Sequence, residues 1–139
     1  MNKDTILVET TINASLEKVW ESWVIPTHIM NWNNASEDWH TPAASNDLKV
    51  GGKFSYTMAA KDGSFSFDLG GVYTAIVKKE LISYELADGR KVRVEFMKME
   101  NGVKIIELFE PESENPSKMQ KAGWQAILDS FKKYTEALA

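Results

Sequence analysis

The feature that most constrains the fold of this chain is a change of hydrophobic period near residue 47. From there to residue 110, apolar residues tend to recur at every second position, which is the period of a half-buried β-strand. Three dipeptides that favour tight hairpin turns, Asp62-Gly63, Asp88-Gly89 and Asn101-Gly102, interrupt the alternation. The pattern therefore predicts an antiparallel meander of five consecutive strands, which are the run with Phe54, Tyr56 and Met58, followed by residues 65–78, 80–86, 91–99 and 103–110.

The longest of these predicted strands has two glycines, Gly70 and Gly71, in its middle. Glycine inside a strand often marks a bulge or a tight bend. We therefore expect a bulge or a sharp bend there and a curved sheet.

The segment before the meander combines one strand with two short helices. Residues 4–13 alternate as a strand, and Ser15 is a suitable N-cap for a helix that begins at Leu16. Pro26 ends that helix, and residues 27–32 have the length of a second short helix. The apolar positions of the first helix follow the i, i+3, i+4, i+7, i+8 stripe of a helix packed on a core: Leu16, Val19, Trp20, Trp23 and Val24.

Residues 33–42 are the least regular part of the chain, and they contain the adjacent pair Trp39-His40. The chain ends in a long amphipathic helix that starts near Ser117. About 22 residues at 1.5 Å each span roughly 33 Å, which is enough to cross a whole sheet. Its apolar stripe consists of Trp124, Ile127, Leu128, Phe131, Tyr134 and Leu138.

Composition excludes several classes of protein. The chain has 139 residues, no cysteine and a net charge of −4, so thiolate chemistry, disulfides and binding to a nucleic-acid backbone are disfavoured. It lacks an apolar run of about 20 residues, and its first residues lack the apolar stretch of a secretory signal. We expect one domain over residues 1–139, no membrane span and a cytoplasmic location.

Four short segments resemble one superfamily. They are residues 14–20 after the first strand, residues 47–54 before the meander, Gly71-Val72-Tyr73, and Gly123-Trp124 with Leu128 and Phe131 in the last helix. In this order they are similar to the START-like (SRPBCC) superfamily, and within it to the branch homologous to the activator of the heat-shock-protein ATPase. The resemblance implies an α+β helix-grip fold: a curved, six-stranded antiparallel sheet around the long C-terminal helix, with two short helices after the first strand.

The resemblance also implies a site, because in this superfamily the space between the long helix and the sheet is often a ligand cavity. Both facing surfaces are apolar in this sequence, and aromatic residues recur on the predicted inner face. The candidate ligand-binding residues are Trp39, His40, Phe54, Tyr56, Phe67, Tyr73, Phe96, Trp124 and Leu128.

Polar residues that could carry chemistry are few. His40 could act as an acid or base near neutral pH, and Tyr56, Tyr73 and Tyr84 would need hydrogen-bond partners if buried. Charged strand residues usually face solvent, and we expect the same of Arg93, Glu95 and Glu107. Because His28, Asp38 and His40 lack a helical ligand spacing, we predict no metal site. The sequence also has no cysteine, no Gly-x-Ser-x-Gly elbow and no Gly-x-x-x-x-Gly-Lys phosphate loop, and we predict no cofactor and no catalytic residue.

Three functions remain open, and the first is favoured. A binding domain would hold a small apolar molecule, aromatic or lipid-like, in the cavity and would not be an enzyme. A protein-binding domain would engage a chaperone ATPase, as the resemblance implies. A cyclase/aromatase-like enzyme acting on polyketides would need Tyr56, Tyr73 or His40 to point into the cavity as acid or base.

Overall fold

The computed structural model describes residues 4–138, and residues 1–3 and 139 of the predicted domain lie outside that range. Ten elements follow one another in the order strand, two helices, six strands and a final helix. Their bounds are β1 Ile6–Ile12, α1 Leu16–Val24, α2 Pro26–Trp32, β2 Trp39–Asn46, β3 Lys53–Ala60, β4 Ser66–Val77, β5 Leu81–Leu86, β6 Lys91–Met99, β7 Gly102–Phe109 and α3 Ser117–Leu138.

The strands form one antiparallel sheet in the order β1-β7-β6-β5-β4-β3-β2. Each strand from β2 to β6 pairs with the next along the chain, and β1 lies at the other edge of the sheet, beside β7. The sheet curls around α3, so the α+β helix-grip prediction is confirmed. The turn glycines Gly63 and Gly89 have φ of 78° and 92°, a left-handed conformation that explains glycine at these two hairpins.

The predicted number of six strands is wrong, because β2 is a seventh strand. It overlaps residues 33–42, which the sequence predicts to be irregular. Its register with β3 shifts between His40 and Ala43. Pro42 lies at that irregularity, and β2 is an edge strand, the place where a sheet tolerates proline. Alanine, serine and asparagine complete a strand of low β-propensity, so the sequence carries little signal for it.

The two glycines of β4 do not form a bulge. Gly70 and Gly71 pair in regular register with β3, and the irregularity of β4 lies between Tyr73 and Ala75, opposite β5. At Gly71 a Cβ atom would come within 2.8 Å of the Phe54 ring, so glycine is required there by close packing.

The short helices start and stop as the sequence predicts. The hydroxyl of Ser15 accepts a hydrogen bond from the backbone N–H of Lys18 at 3.1 Å and caps α1. Pro26 is the first residue of α2, where its missing N–H costs nothing. Both helices face the core, and Val19 and Ile29 are fully buried.

Helix α3 packs most closely against β1 and the short helices. Three side chains of α3 form hydrogen bonds with the backbone of β1 or of Asn13, the residue that follows it. Gln125 Nε2 donates to the carbonyl of Glu9, and Lys132 Nζ donates to the carbonyl of Thr11. The carboxylate of Glu136 accepts from the backbone N–H of Asn13. These contacts fix α3 over one side of the sheet. Space therefore remains between the helix and strands β3 to β5.

Candidate functional site

A cavity of about 230 Å³ occupies the space between α3, the short helices and the inner face of the sheet at β3, β4, β5 and β7. A dry cavity of about 150 Å³ can take up benzene, so the space here suits a molecule of one or two rings. Most of the wall is apolar: Trp23, Trp32, Phe54, Met58, Phe67, Leu69, Ile82, Trp124, Ile127 and Leu128. The polar lining residues are Asn33, Tyr56, Tyr73, Tyr84, Arg90 and Glu107.

The α3 wall is fixed by an aromatic stack. The ring of Trp124 lies parallel to that of Phe109 on β7, with centroids 3.9 Å apart and planes at 7°. Leu128, one helical turn on, is fully buried and faces the same cavity. The stack therefore sets how far the helix stands from the sheet.

Another part of the wall is built by the short helices. Trp23 of α1 and Trp32 of α2 lie 5.0 Å apart, and Phe131 of α3 contacts them at 4.8 Å and 4.9 Å. The indole Nε1 of Trp32 donates to the carbonyl of Ser22 at 2.7 Å. Two tryptophans with fixed rings thus give the cavity a rigid aromatic side.

A chain of hydrogen bonds engages two tyrosines of the wall. Tyr56 bonds to Tyr73 through its hydroxyl, Tyr73 donates to Asn46 Oδ1 at 2.5 Å, and Asn46 Nδ2 donates to the carbonyl of Val24. Burial raises the pKa of Tyr73 to about 12 and that of Tyr56 well above its usual value. Both hydroxyls are therefore neutral near pH 7 and already have protein partners.

Glu107 is the most unusual side chain of the cavity. It lies on β7 between Val8 of β1 and Val94 of β6, and only 6% of it is exposed. No hydrogen bond or ion pair joins its carboxyl group to any other residue in the range 4–138, and it lines the cavity. Burial among apolar neighbours raises the pKa of Glu107 to about 8, so the carboxyl group is mainly protonated at pH 7.

Tyr84 and Arg90 complete the polar part of the wall. Burial, and then the nearby Glu107, raise the pKa of Tyr84 well above its usual value. Within residues 4–138 the Tyr84 hydroxyl has no hydrogen-bond partner. Arg90 follows the β5–β6 turn, and its Nε donates to Asp88 at 2.8 Å while the side chain reaches the cavity.

The structure brings six of the predicted site residues together around the cavity: Phe54, Tyr56, Phe67, Tyr73, Trp124 and Leu128. The other three lie elsewhere. Phe96 is buried against Trp20 and Trp23, at 5.2 Å and 5.7 Å, because α1 covers that part of the sheet. Trp39 packs on Phe65 and Phe67 outside the cavity, and its neighbour His40 is exposed on the edge strand β2.

Sequence reasoning placed Glu107 with the solvent-facing strand charges, and that expectation is wrong. A usable signal exists, since Glu107 alternates in phase with Val103, Ile105 and Phe109, all of them fully buried. Asn33 and Arg90 were also missed, because they lie in connections whose side-chain direction has no period.

Metal binding has no support in the described part of the chain, where no group of three His, Asp or Glu side chains is arranged to hold an ion. His28 instead bonds through Nδ1 to the hydroxyl of Tyr134 at 2.6 Å and packs edge-on against that ring. No helix among residues 4–138 is both long and apolar enough to cross a membrane.

A curled antiparallel sheet that grips one long C-terminal helix is the helix-grip fold of the START-like class. Within that class the chain belongs to the family described as activator of Hsp90 ATPase homolog 1-like protein, whose sequence model matches residues 13–136. The family predicted from the sequence is therefore confirmed.

Solved structures agree with this assignment. The AHSA1-like protein from Aeromonas hydrophila is 43% identical, with a TM-score of 0.91 over 96% of this chain and 93% of that one. A protein from Cytophaga hutchinsonii is 55% identical, with a TM-score of 0.83 over 97% and 94%. A Nitrosomonas europaea protein shares the fold at 12% identity, with a TM-score of 0.84 over 99% and 98%. No protein of curated function matches the chain.

Proposed function

We propose that the chain binds a small, mainly apolar molecule with one or two rings in the cavity between α3 and the sheet. The observation that carries the proposal is the cavity of about 230 Å³, with aromatic walls and six polar lining residues. This combination is typical of small-molecule sites, in which apolar walls supply affinity and sparse polar groups fix orientation.

The energetic cost of an empty cavity also supports an occupant. An unfilled apolar space of about 230 Å³ costs roughly 5 kcal/mol at about 24 cal/mol per Å³. Typical domains have only about 5–15 kcal/mol of net stability. A space that serves no purpose would be closed by larger side chains, so its size supports an occupant.

The enzyme alternative has weaker support. Of its three acid–base candidates, His40 is exposed on β2 and outside the cavity. Tyr56 and Tyr73 do line the cavity, but their raised pKa values keep both hydroxyls neutral, which makes them poor bases near pH 7. A role in binding suits these groups better than proton transfer.

Thermal unfolding with a panel of one- and two-ring compounds tests the proposal. A ligand at 100 times its dissociation constant adds about 2.7 kcal/mol, which for a domain of this size raises Tm by roughly 10 °C. Met58→Trp fills the cavity and should abolish the shift. The matched control is Met97→Trp, at a methionine that is 39% exposed and outside the cavity, and it should preserve the shift. Equal shifts in both variants, or none with any compound in the wild type, contradict the proposal.

A second candidate function is binding to a chaperone ATPase, which the description of the family suggests. An exposed aromatic cluster supports it: Phe65 is 59% exposed, Phe67 is 42% exposed, and both contact Trp39. The test measures Hsp90 ATPase turnover with wild type, Phe65→Ser and the control Val50→Ser, at another exposed apolar residue. Stimulation that only Phe65→Ser removes would support this function, and no stimulation by the wild type would contradict it.

A further inference from the structure

Three polar groups of the cavity wall have no hydrogen-bond partner, or keep N–H groups without one, among residues 4–138. Tyr56 and Tyr73 are engaged with each other and with Asn46, and the Asn33 side chain donates to Thr41 Oγ1 at 3.2 Å. The groups left over are the carboxyl of Glu107, the hydroxyl of Tyr84 and the guanidinium N–H groups of Arg90 beyond Nε. Each of them faces the same cavity.

Glu107 belongs among the donors because of its surroundings. Its two cross-strand neighbours are valines, and α3 presents Trp124, Ile127 and Leu128 on the other side of the cavity. Among the described residues no cation pairs with Glu107, and Arg90 instead forms an ion pair with Asp88 at 2.8 Å. An isolated carboxylate in such a place is strongly disfavoured, and the protonated acid is a hydrogen-bond donor.

From these placements we infer that Glu107 and Tyr84 together bind an acceptor oxygen of the ligand, so that the occupant is a compact cyclic ketone, quinone or phenol-derived oxygen compound. This inference rests on the proposed function and specifies its ligand class. Two neutral O–H donors on a mainly apolar wall favour an oxygen that carries partial negative charge, because a buried donor that stays unpaired is costly.

The other titratable groups around Glu107 do not change this assignment. Tyr56, Tyr73 and Tyr84 on β3, β4 and β5 have raised pKa values and stay neutral. Of the described residues that line the cavity, Arg90 is the one with a permanent charge. The lining residues from α1, α2 and α3 are Trp23, Trp32, Asn33, Trp124, Ile127 and Leu128, which do not titrate. A positive Arg90 further favours an acceptor oxygen over a cationic ligand group.

The test compares three probes of nearly the same shape by calorimetry: indan-1-one, which has a carbonyl oxygen, indane, which lacks it, and 1-aminoindane, which is a cation. We expect the wild type to bind indan-1-one at least tenfold more tightly than indane, since each hydrogen bond contributes severalfold. Glu107→Leu should remove most of that preference. Glu107→Gln keeps an N–H donor of similar shape and should retain it.

A pH series separates a donor from a charged partner. The pKa of Glu107 is raised to about 8, so wild-type affinity for indan-1-one should fall above pH 8 as the donor is lost. In Glu107→Gln the affinity should not change over the same range. Tighter binding of 1-aminoindane than of indan-1-one, growing as the pH rises towards 8, would overturn the inference, because it shows an ionised Glu107 paired with a cation.

The outcomes also separate this inference from the proposed function. Equal affinity for indan-1-one and indane, both abolished by Met58→Trp, overturns the donor pair and leaves cavity binding in place. Absence of binding by all three probes counts against the proposed function, and the inference that rests on it is then overturned as well.

Discussion

Phe109 of β7 and Trp124 of α3 stack face to face, with ring centroids 3.9 Å apart and planes at 7°. This contact joins the strand that carries Glu107 to the helix that covers it. Because both rings are wide and flat, the stack acts as a spacer as well as an attachment. The depth of the cavity depends on it, since Trp124 is itself part of the wall.

The first prediction concerns this stack. Trp124→Phe keeps an aromatic ring on Phe109, whereas Trp124→Leu removes the stack and leaves an apolar side chain of similar size to Phe. We expect Trp124→Leu to be about 1 kcal/mol less stable than Trp124→Phe, which is the usual contribution of an aromatic pair beyond its buried area. Guanidinium unfolding followed by far-UV circular dichroism measures the difference. Equal stabilities of the two variants would show that the stack contributes only area.

The second prediction is a pH dependence of stability due to Glu107. The folded chain holds this proton up to about pH 8, whereas the unfolded chain releases it near the ordinary pKa of 4.5. Between these pH values unfolding releases a proton, so the free energy of unfolding falls as pH rises, with a slope of up to about 1.4 kcal/mol per pH unit. Below pH 4.5 and above pH 8 Glu107 contributes no slope, because its protonation is then the same in both states.

The control for this slope is Glu107→Gln, which keeps the shape and cannot ionise. Urea titration from pH 4.5 to 8 measures the free energy of unfolding of both proteins. As the pH rises, the wild type should become steadily less stable relative to Glu107→Gln. A constant difference would mean that Glu107 is ionised in the folded protein throughout the range.

The third prediction concerns two buried hydroxyl groups without partners. Within the described residues, Ser22 Oγ and Thr135 Oγ1 are buried and make no hydrogen bond. Thr135→Val keeps the shape and removes the unsatisfied hydroxyl, so we expect the variant to be about 1 kcal/mol more stable. Thr41→Val is the matched contrast, because Thr41 Oγ1 donates to the carbonyl of Asn33 at 2.6 Å. That variant should lose about 1–3 kcal/mol, and the same sign for both would refute the reasoning.

The fourth prediction concerns the tyrosine pair. Tyr73→Phe leaves Asn46 Oδ1 without its donor in a half-buried place and should lower the stability by about 1 kcal/mol. Tyr56→Phe leaves Tyr73 and Asn46 bonded to each other and should cost less. Thermal unfolding of both variants at pH 7 gives the comparison. A larger loss of stability for Tyr56→Phe would contradict the direction of donation from Tyr56 to Tyr73 to Asn46.

The sequence predicts most of this fold because its local signals agree with one another. The turn dipeptides, the N-cap at Ser15 and Pro26 each mark a boundary that the structure places there. The sequence does not predict strand β2, because that segment contains Pro42, has little β-propensity and is stabilised by its pairing with β3. Tertiary pairing decides such an element, and a single sequence does not contain that information.

The site is predicted less completely, for two physical reasons. Strand alternation shows that Phe54 and Phe96 both face inwards, but it does not show that α1 covers Phe96 and leaves Phe54 beside open space. Glu107 was assigned to the surface because of its charge, although its phase on β7 assigns it to the interior. At that position the period of the strand is a better guide than the type of side chain.

The most direct test of cavity binding is a methyl NMR titration of the wild type with indan-1-one. We expect saturable shifts of the methyl signals of Met58, Ile82 and Leu128, which line the cavity, and unchanged signals for Val77 and Met97 on the outer surface. Shifts confined to the outer surface, or to the exposed cluster around Phe65, would contradict the account.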